Sequence, residues 1–260
     1  MKPLAQLRDA GRLRGLLFDI DDTLTTEGRL TAGAYAALGR LRESGRIAVA
    51  VTGRPAGWCD HIARMWPVDA VVGENGAFYF RYAKGKLLKR YYDSDAERAA
   101  KRARFGAIAE RVLREVPGCA LASDQAYRET DLAIDYCEDV PRLPLERAER
   151  IAELMREAGL TAKISSIHVN GWFGGYDKLA MAQTLFAEAF GTDLVAANAQ
   201  YAYAGDSPND APMFGYFSNS VGVANVARFA AHLAAGPKYV TQGESGAGFA
   251  ELVAHLLGER

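Results

Sequence analysis

The sequence predicts an α/β protein that has a parallel-sheet core with a smaller α+β unit inserted into it. Three short apolar runs, at 13–18, 47–51 and 201–204, end in polar or acidic residues, which is typical of buried strands in a parallel sheet. More than a hundred residues separate Thr52 from Lys178, whereas a crossover between parallel strands needs only about a dozen or more. We therefore expect an additional unit between the two parts of the core.

The first of these strands is followed by three carboxylates and a hydroxyl group between Asp19 and Thr23. Ligands of open α/β sheets bind at the carboxyl ends of the strands, and clustered carboxylates favour a cation. A calcium loop of the EF-hand type would need Gly and Glu at its sixth and twelfth positions, where this chain has Leu24 and Leu30. A turn that only caps a helix needs one acid rather than three. The motif therefore indicates a cation site at the edge of the sheet.

Three later segments carry groups that suit a phosphate ligand. The second strand leads into Thr52, Gly53 and Arg54, which offer a hydroxyl, a flexible backbone and a guanidinium to phosphate oxygens. Lys178 directly precedes an apolar helical pattern, so its ammonium lies at a helix amino end, where anions are favoured. The third strand leads into a second acidic turn at 205–210. Each segment alone is a common surface feature, and their combination carries the information.

In this order and context, the four segments resemble the signature of the haloacid dehalogenase superfamily of phosphohydrolases. Its motifs correspond here to Asp-x-Asp-x-Thr at 19–23, a strand that ends in Thr52, the lysine Lys178, and Gly-Asp-x-x-x-Asp at 205–210. The resemblance extends over nearly the whole chain from residue 13. It implies a Rossmann-like parallel-sheet core and a Mg²⁺-dependent phosphatase that hydrolyses phosphate monoesters.

The resemblance also implies a role for each motif residue. Asp19 is expected to be the nucleophile that forms an aspartyl-phosphate, and Asp21 the general acid and base. Dehalogenating members lack an acid at the position of Asp21, because a halide leaves without a proton, so this residue indicates phosphoryl transfer. Thr52 and Lys178 are expected to bind the phosphoryl oxygens. The implied Mg²⁺ site consists of oxygen groups: Asp19, the backbone carbonyl of Asp21, Asp206, and Asp210, which orients the others.

The motifs divide the chain into a core made of two parts, 1–84 and 173–260, and an inserted cap at 85–172. The pattern of the cap runs helix, strand, strand, helix, strand, strand, which predicts a small sheet covered by two helices. A cap of this kind between the second and third motifs resembles the subfamily IIB or Cof-like branch, which includes sucrose-phosphate phosphatases. The segment at 74–77 is also similar to that branch. Such a lid expels water and selects the leaving group.

Specificity is therefore expected in the cap and beside the core motifs. On the returning strand of the cap, alternation places Ser166, His168 and Asn170 on one polar face that suits hydroxyl groups, and the alternative is a solvent-exposed edge with an incidental histidine. Trp172 either stacks on a sugar or, as large aromatics near domain junctions more often do, packs in the interior. The predicted substrate-binding residues are Gly53, Arg54, Asn75, Ser166, His168, Asn170 and Asn209.

The composition is compatible with an ordinary globular enzyme. The formal net charge of −1 over 260 residues gives no indication of a nucleic-acid or anionic-membrane partner. Three cysteines without metal-ligand spacing indicate reduced thiols and a cytoplasmic protein. We expect a small phosphorylated substrate, such as a sugar phosphate, and a monomer or homodimer. A phosphomutase of the same superfamily and a non-catalytic phosphoryl-binding module are the alternatives.

Overall fold

The computed structural model describes residues 1–259. The strands are β1 (Lys2–Pro3), β2 (Gly15–Phe18), β3 (Ile47–Val51), β4 (Ala70–Gly73), β5 (Phe78–Ala83), β6 (Lys86–Tyr91), β7 (Ala120–Leu121), β8 (Asp131–Asp135), β9 (Thr161–Ile164), β10 (His168–Trp172), β11 (Tyr201–Gly205), β12 (Asn219–Gly222) and β13 (Tyr239–Val240). The α-helices are α1 (Ala32–Glu43), α2 (Ala56–Met65), α3 (Asp95–Arg102), α4 (Phe105–Glu115), α5 (Leu145–Glu157), α6 (Lys178–Phe190), α7 (Ala211–Tyr216) and α8 (Ser245–Leu257). Over the described residues, none of these helices is long and apolar enough to cross a membrane.

The core is one sheet of nine strands in the order β1-β13-β12-β11-β2-β3-β4-β5-β6. The strands from β1 to β4 in this order are parallel, and β5 and β6 form an antiparallel hairpin at one edge. In the register of the central strands, Leu17 of β2 lies between Val49 of β3 and Tyr203 of β11. The predicted parallel-sheet core is therefore confirmed, and the carboxyl ends of these three strands lie side by side.

Helices cover both faces of the core sheet, which explains why its central strands are continuously apolar. Leu16 and Phe18 pack against the layer formed by α1, α2 and α8, whereas Leu17 packs against the layer of α6 and α7. Phe249 of α8 meets Phe18 edge to face, with the ring centroids 5.0 Å apart. Burial of each such side chain contributes about 1.5–3 kcal/mol to stability, so the strand that carries the first motif is firmly anchored.

The inserted unit is an antiparallel sheet of four strands, β7-β8-β10-β9, with α4 and α5 packed on one face. Its apolar side chains form a core of their own, in which Val112, Ile134, Ile151 and Val169 are fully buried. The observed order follows the predicted pattern of helix, strand, strand, helix, strand, strand from α4 onwards, and the short helix α3 precedes it. The unit is a small α+β layer structure that can stay folded while it moves relative to the core.

Strand β6 lies on the core side of the boundary, although the sequence-based division assigns it to the cap. It pairs with β5 in the nine-stranded sheet, where the ring of Phe78 packs on those of Phe80 and Tyr91 at centroid distances of 4.4 and 5.4 Å. The hairpin therefore extends the core sheet instead of crossing out of it. On this topology the cap begins after Tyr91.

Candidate active site

The loop after β2 places Asp19 at the centre of the sheet edge. The backbone N–H of Asp19 donates to the carbonyl of Ala204 at 2.9 Å, which continues the pairing with β11 by one residue. Farther along, Asp22 has a positive φ of 53° and its carbonyl accepts a hydrogen bond from Asn225 at 2.9 Å. The loop therefore turns sharply and leaves the Asp19 side chain pointing into the site, where it is 4% exposed.

Lys178 is the buried counter-ion of this aspartate. Its Nζ lies 2.9 Å from Oδ1 of Asp19 and 2.7 Å from Oδ1 of Asp210. The lysine is the first residue of α6, and Asp177 caps that helix by accepting the N–H of Ala180 at 2.8 Å. The helix start thus delivers an ammonium group to the edge of the sheet, and the first, third and fourth motifs lie together.

The start of α6 touches the tight turn Glu74–Gly76, in which all three residues have positive φ. A Cβ on Gly76 would lie 2.0 Å from the carbonyl oxygen of Asp177, so only glycine fits there. Left-handed backbone at the two preceding residues costs about 1–3 kcal/mol each, a strain that clusters at functional sites. The turn presents Asn75, which is 2% exposed, to Asn209, whose Nδ2 lies 3.4 Å from Asn75 Oδ1.

Asp210 is held on all sides and orients its neighbours. Its Oδ2 accepts the backbone N–H of Asp206 at 3.0 Å, and its Oδ1 accepts from Lys178 and from the hydroxyl of Tyr203 at 2.5 Å. A Cβ on Gly205 would lie 2.5 Å from this carboxylate, so the glycine of the fourth motif makes room for it. Asp206, which is fully buried, is thereby directed towards Asp19.

Three buried carboxylates lie close enough to hold one cation. One oxygen each of Asp19, Asp206 and Asp210 lies within 4.8 Å of the others. Burial raises the pKa of Asp19 to about 8, although Lys178 acts against this rise. Burial, together with the charges of Asp210 and Asp19, also raises the pKa of Asp206. The three carboxyl groups offer oxygen ligands, and the single ammonium of Lys178 does not balance their combined negative charge. Such a site fits Mg²⁺.

Asp21 belongs to a second group of charges, which is centred on Arg54. The Nε of Arg54 lies 2.9 and 3.0 Å from the two carboxylate oxygens of Asp21. The same guanidinium lies 3.4 Å from Asp124 and 2.5 Å from Glu138, both in the cap, and 4.4 Å from the ring centroid of Trp58. Arg54, which the sequence predicts to bind substrate, is therefore already shared by three carboxylates.

Thr52 and Gly53 complete the second motif at the end of β3. Thr52 is fully buried, and its hydroxyl accepts the backbone N–H of Arg54 at 3.0 Å. A Cβ on Gly53 would lie 3.0 Å from Asn75 Nδ2 and 3.5 Å from Asn170 Oδ1. The glycine therefore allows a residue of the cap strand β10 to approach the core motif closely.

Polar groups of the core and the cap also meet beside the site. The buried carboxylate of Glu74 accepts the N–H groups of Glu129 and Thr130 in the cap, at 2.9 and 2.6 Å. Arg128 of the cap donates to the carbonyl of Gly53 at 2.9 Å. Sequence reasoning missed these residues and Glu138, because single charged residues in the cap form no motif. Their only signal is that they lie in turns next to cap strands.

Cap and core enclose a cavity of about 10 Å³, which is lined by Asp19, Asp21, Asn209, Ser165, His168 and Asn170 among others. A volume of about 10–15 Å³ in this measure accommodates one water molecule. A ligand larger than one water molecule therefore enters this cavity only when the cap moves away from the core.

The strand β10 differs in register from the predicted alternation. His168 and Asn170 face the cavity as expected, and Val169 points into the apolar interior of the cap. Ser166 lies in the turn before the strand, so its neighbour Ser165 lines the cavity. The cause is local, because the Ser165 hydroxyl accepts the N–H of His168 at 2.9 Å and closes a tight turn.

Trp172 packs in the interior, the second of the two roles considered for it. The residue is 1% exposed, and its ring lies parallel to that of Tyr176 at a centroid distance of 5.7 Å. Its ring N–H donates to the carbonyl of Tyr176 at 3.2 Å. The indole therefore contacts Tyr176 through both its ring face and its N–H group, and it joins the last cap strand to the core.

Comparisons with known proteins agree with this geometry. The family model of haloacid dehalogenase-like hydrolases matches residues 16–103. The fold is similar to that of a putative HAD/COF-like hydrolase from Plasmodium vivax, with a TM-score of 0.69 and 17% identity over 98% of this chain and 99% of that chain. It is also similar to Thermoplasma acidophilum protein 0175, with a TM-score of 0.68 and 18% identity over 94% of this chain and 98% of that chain.

A third similar structure is the sucrose-phosphatase from Synechocystis in complex with sucrose and phosphate. Its TM-score is 0.63, at 15% identity over 94% of this chain and 98% of that chain. At such identities the similarity establishes the shared fold. None of the curated protein sequences compared with the chain matches it.

The family model over residues 16–103 and the assembled motifs make the chain similar to haloacid dehalogenase-like hydrolases. The inserted α+β cap belongs to the fold that the chain shares with a subclass IIB sugar phosphatase, at 14% identity and a TM-score of 0.60. Asp21, the acid that the resemblance implies, favours phosphatase chemistry over dehalogenation.

Proposed function

We propose that this enzyme is a Mg²⁺-dependent phosphomonoesterase that acts on a sugar phosphate or a similar small phosphorylated metabolite through an aspartyl-phosphate. The observation that carries the proposal is the contact of Asp19 with Lys178 beside two further buried aspartates at one edge of the sheet. The sugar class of the substrate is supported by the common fold with a sucrose-phosphatase and with a subclass IIB sugar phosphatase.

Asp19 and Asp206 would hold the metal ion, together with the backbone carbonyl of Asp21, and Asp210 would keep this set oriented. When bound, Mg²⁺ supplies the positive charge that lets an anionic carboxylate approach an anionic phosphate. Two like unit charges about 4 Å apart repel by about 4 kcal/mol at an effective dielectric constant of 20. The single ammonium of Lys178, already shared by Asp19 and Asp210, offsets only part of the total negative charge.

In the first proposed step, a carboxylate oxygen of Asp19 forms a bond to phosphorus while the bond from phosphorus to the leaving-group oxygen breaks. Asp21 gives its proton to that oxygen, so that an alcohol leaves. Lys178 and Thr52 bind the equatorial phosphoryl oxygens, where charge accumulates in the transition state. The product on the enzyme is the phosphorylated Asp19.

In the second step, water attacks phosphorus and the bond from phosphorus to Asp19 breaks. Asp21, which has lost its proton in the first step, takes one proton from the attacking water. Inorganic phosphate leaves, and Asp19 is regenerated as a carboxylate. Closure of the cap excludes other water molecules while the leaving group is bound.

The proposal is tested by release of phosphate from para-nitrophenyl phosphate with Mg²⁺, after removal of metal with EDTA, and after Mg²⁺ is added back. We expect turnover, loss of turnover with EDTA, and recovery. Turnover that persists in excess EDTA, or its absence under all three conditions, would contradict the proposal. Adding a hexose bisphosphate to a hexose monophosphate and measuring isomerisation against free phosphate separates a phosphatase from a phosphomutase.

A further inference from the structure

The inner face of the cap carries a carboxylate, Glu138, that is not part of any superfamily motif. It lies in a turn directly after β8, and Asp135 holds this turn by accepting the backbone N–H groups of Cys137, Glu138 and Asp139 at 2.8, 2.7 and 2.8 Å. Asp135 is 1% exposed. Glu138 is therefore presented to the site by a rigid turn and not by a loose loop.

Glu138 lies between two groups that border the cavity. One of its carboxylate oxygens is 3.2 Å from Arg54 Nη1 and 2.9 Å from His168 Nε2. Burial acts to raise the pKa of Glu138, but the contacts with His168 and Arg54 outweigh it and lower the pKa to about 2. The group is consequently ionised at neutral pH and adds a negative charge beside the cavity.

The positive charges of the site are already compensated. In the part of the chain that the structure describes, Arg54 is the only cationic side chain among the cavity-lining residues. It pairs with Asp21, Asp124 and Glu138, of which the last two belong to the cap. Among the described residues that line the cavity, no arginine or lysine is therefore free to pair with a leaving group that carries a second phosphate or a carboxylate.

Several buried polar atoms around the site have no hydrogen-bond partner among residues 1–259, including Ser166 Oγ. Two of them are His168 Nε2, which is near Glu138 but outside hydrogen-bond geometry, and Asn75 Nδ2. Their residues are 3% and 2% exposed, and Asn75 Nδ2 lies next to Gly53, which lines the cavity. Buried polar groups are almost always paired in folded proteins. A hydroxyl group both donates and accepts, so a neutral hydroxylated ligand can satisfy such groups.

We propose that Glu138 and His168 form a specificity-determining pair, which binds the hydroxyl groups of an uncharged leaving group and discriminates against leaving groups with a second anionic substituent. The inference rests on the proposed function, in which the phosphoryl group lies at Asp19 and the leaving group extends towards the cap. It narrows the substrate class to monophosphates of neutral sugars or polyols.

The test compares kcat/KM in the presence of Mg²⁺ for two panels. One contains hexose 6-phosphates, sorbitol 6-phosphate and glycerol phosphate; the other contains glucose 1,6-bisphosphate, fructose 1,6-bisphosphate and 3-phosphoglycerate. We expect the best neutral monophosphate to exceed the best anionic substrate by at least about 100-fold. Equal values, or a preference for an anionic substrate, would overturn the inference.

Substitutions of Glu138 and His168 test whether this pair causes the preference for neutral monophosphates. Glu138→Gln is expected to reduce the ratio between the two panels by at least about tenfold, mainly through a higher KM for the neutral monophosphates. His168→Gln is expected to act in the same direction and serves as the second test if Glu138→Gln does not fold. Glu146→Gln, an exposed residue of α5, is the matched control and should keep the ratio. An unchanged ratio in folded Glu138→Gln and His168→Gln would refute the pair.

The failure of this inference is distinguishable from failure of the proposed function. Para-nitrophenyl phosphate carries no aliphatic hydroxyl group, so its hydrolysis reports the phosphatase site without the proposed recognition of the leaving group. Hydrolysis of it by the wild-type enzyme, combined with a preference for anionic substrates, would remove the specificity proposal only. Absence of Mg²⁺-dependent turnover with every substrate would remove the proposed function itself.

Discussion

The charged residues of the core and those of the cap are held in different ways. In the core, Lys178 is fixed between Asp19 and Asp210 by partners that all belong to the same sheet edge. In the cap, Glu138 and Asp124 reach their partner Arg54 across the boundary between the two units. The groups assigned to the reaction are thus assembled permanently, whereas the groups assigned to specificity reach the site only when the cap is closed.

Because of these contacts between cap and core, opening the cap requires that a defined set of hydrogen bonds and ion pairs break. The hydrogen bonds from Glu129 and Thr130 to Glu74, and the one from Arg128 to Gly53, must break together with the ion pairs of Arg54. Because the enclosed cavity measures only about 10 Å³, a substrate cannot enter without that step. Cap opening is therefore a candidate for the step that limits turnover.

The largest expected effect is on the core side, at the nucleophile. Asp19→Asn should reduce phosphate release by about 10⁴-fold or more, because the amide neither attacks phosphorus nor carries the charge that binds the metal. The circular dichroism spectrum should stay that of the wild type, since the amide keeps the size of the buried side chain. Steady-state turnover and stopped assays for phosphorylated enzyme measure the loss.

Asp9→Asn is a matched control for this variant. It makes the same chemical change at an exposed aspartate that, among residues 1–259, forms an ion pair only with Arg12, at 3.7 Å. It should retain wild-type turnover. Activity of folded Asp19→Asn close to that of Asp9→Asn would overturn the assignment of the nucleophile.

A smaller effect is expected at Asp21, and it should depend on the leaving group. Asp21→Asn should slow hydrolysis of a sugar phosphate by about 10²–10⁴-fold, because the leaving alkoxide then receives no proton from the enzyme. Para-nitrophenolate is stable without a proton, so the first step with that substrate should be slowed much less. The ratio of the rates of aspartyl-phosphate formation for the two substrates is the measurement, and equal losses would argue against an acid role for Asp21.

The core site could be predicted from the sequence because each motif is local and follows a strand. Since β2, β3 and β11 are parallel neighbours, residues as distant as Asp19, Thr52 and Asp206 meet at one edge once the sheet forms. The adjacency of strands determines their positions, and short apolar runs reveal the strands. This is why the fold and the meeting of the core motif residues follow from the pattern of residues alone.

The contacts of the cap could not be predicted in this way. Glu138 and Asp124 obtain their role from the orientation of one folded unit on another, which no local pattern encodes. The predicted alternation along β10 is wrong at Ser166. The backbone N–H of His168 donates a hydrogen bond to the Ser165 hydroxyl, and this turn ends the alternation. The sequence likewise predicts a strand at Lys86–Tyr91 but not the sheet to which it belongs. Its pairing with β5 in the structure assigns it to the core.

Two tryptophans at the boundary sharpen the distinction between packing and binding. Trp172 is 1% exposed and Trp58 is 40% exposed. Trp172→Ala should lower the free energy of unfolding by about 3–5 kcal/mol, because it leaves a large cavity where the last cap strand joins the core. Trp58→Ala should lower it by about 1 kcal/mol or less, because the ring is partly exposed and loses mainly its contact with the Arg54 guanidinium.

Urea denaturation of the two tryptophan variants measures these changes. A sugar-stacking role for Trp172 would give the opposite pattern, with stability near the wild type and a raised KM for sugar phosphates. That outcome would place a binding residue where the closed structure shows a ring packed on Tyr176 and hydrogen-bonded to its carbonyl.

The last expected effect is a pH dependence of stability at Glu74, the buried carboxylate that binds the cap. Burial, reinforced by the charge of Asp131, raises the pKa of Glu74 from 4.5 to about 7. Between pH 4.5 and about 7, Glu74 therefore binds more protons in the folded protein than in the unfolded chain. Its contribution to the unfolding free energy is fully present below pH 4.5. It decreases as the pH rises towards 7, by about 3 kcal/mol at most.

Glu74→Gln removes this titration while it keeps the shape of the side chain. The unfolding free energy of the wild type minus that of the variant should therefore fall between pH 4.5 and 7, as measured by urea denaturation across that window. The same difference for Glu146→Gln, an exposed residue, should stay flat. A difference that grows with pH would mean that the ionised form is the one stabilised on folding, because it accepts the N–H groups of Glu129 and Thr130 more strongly than burial penalises it.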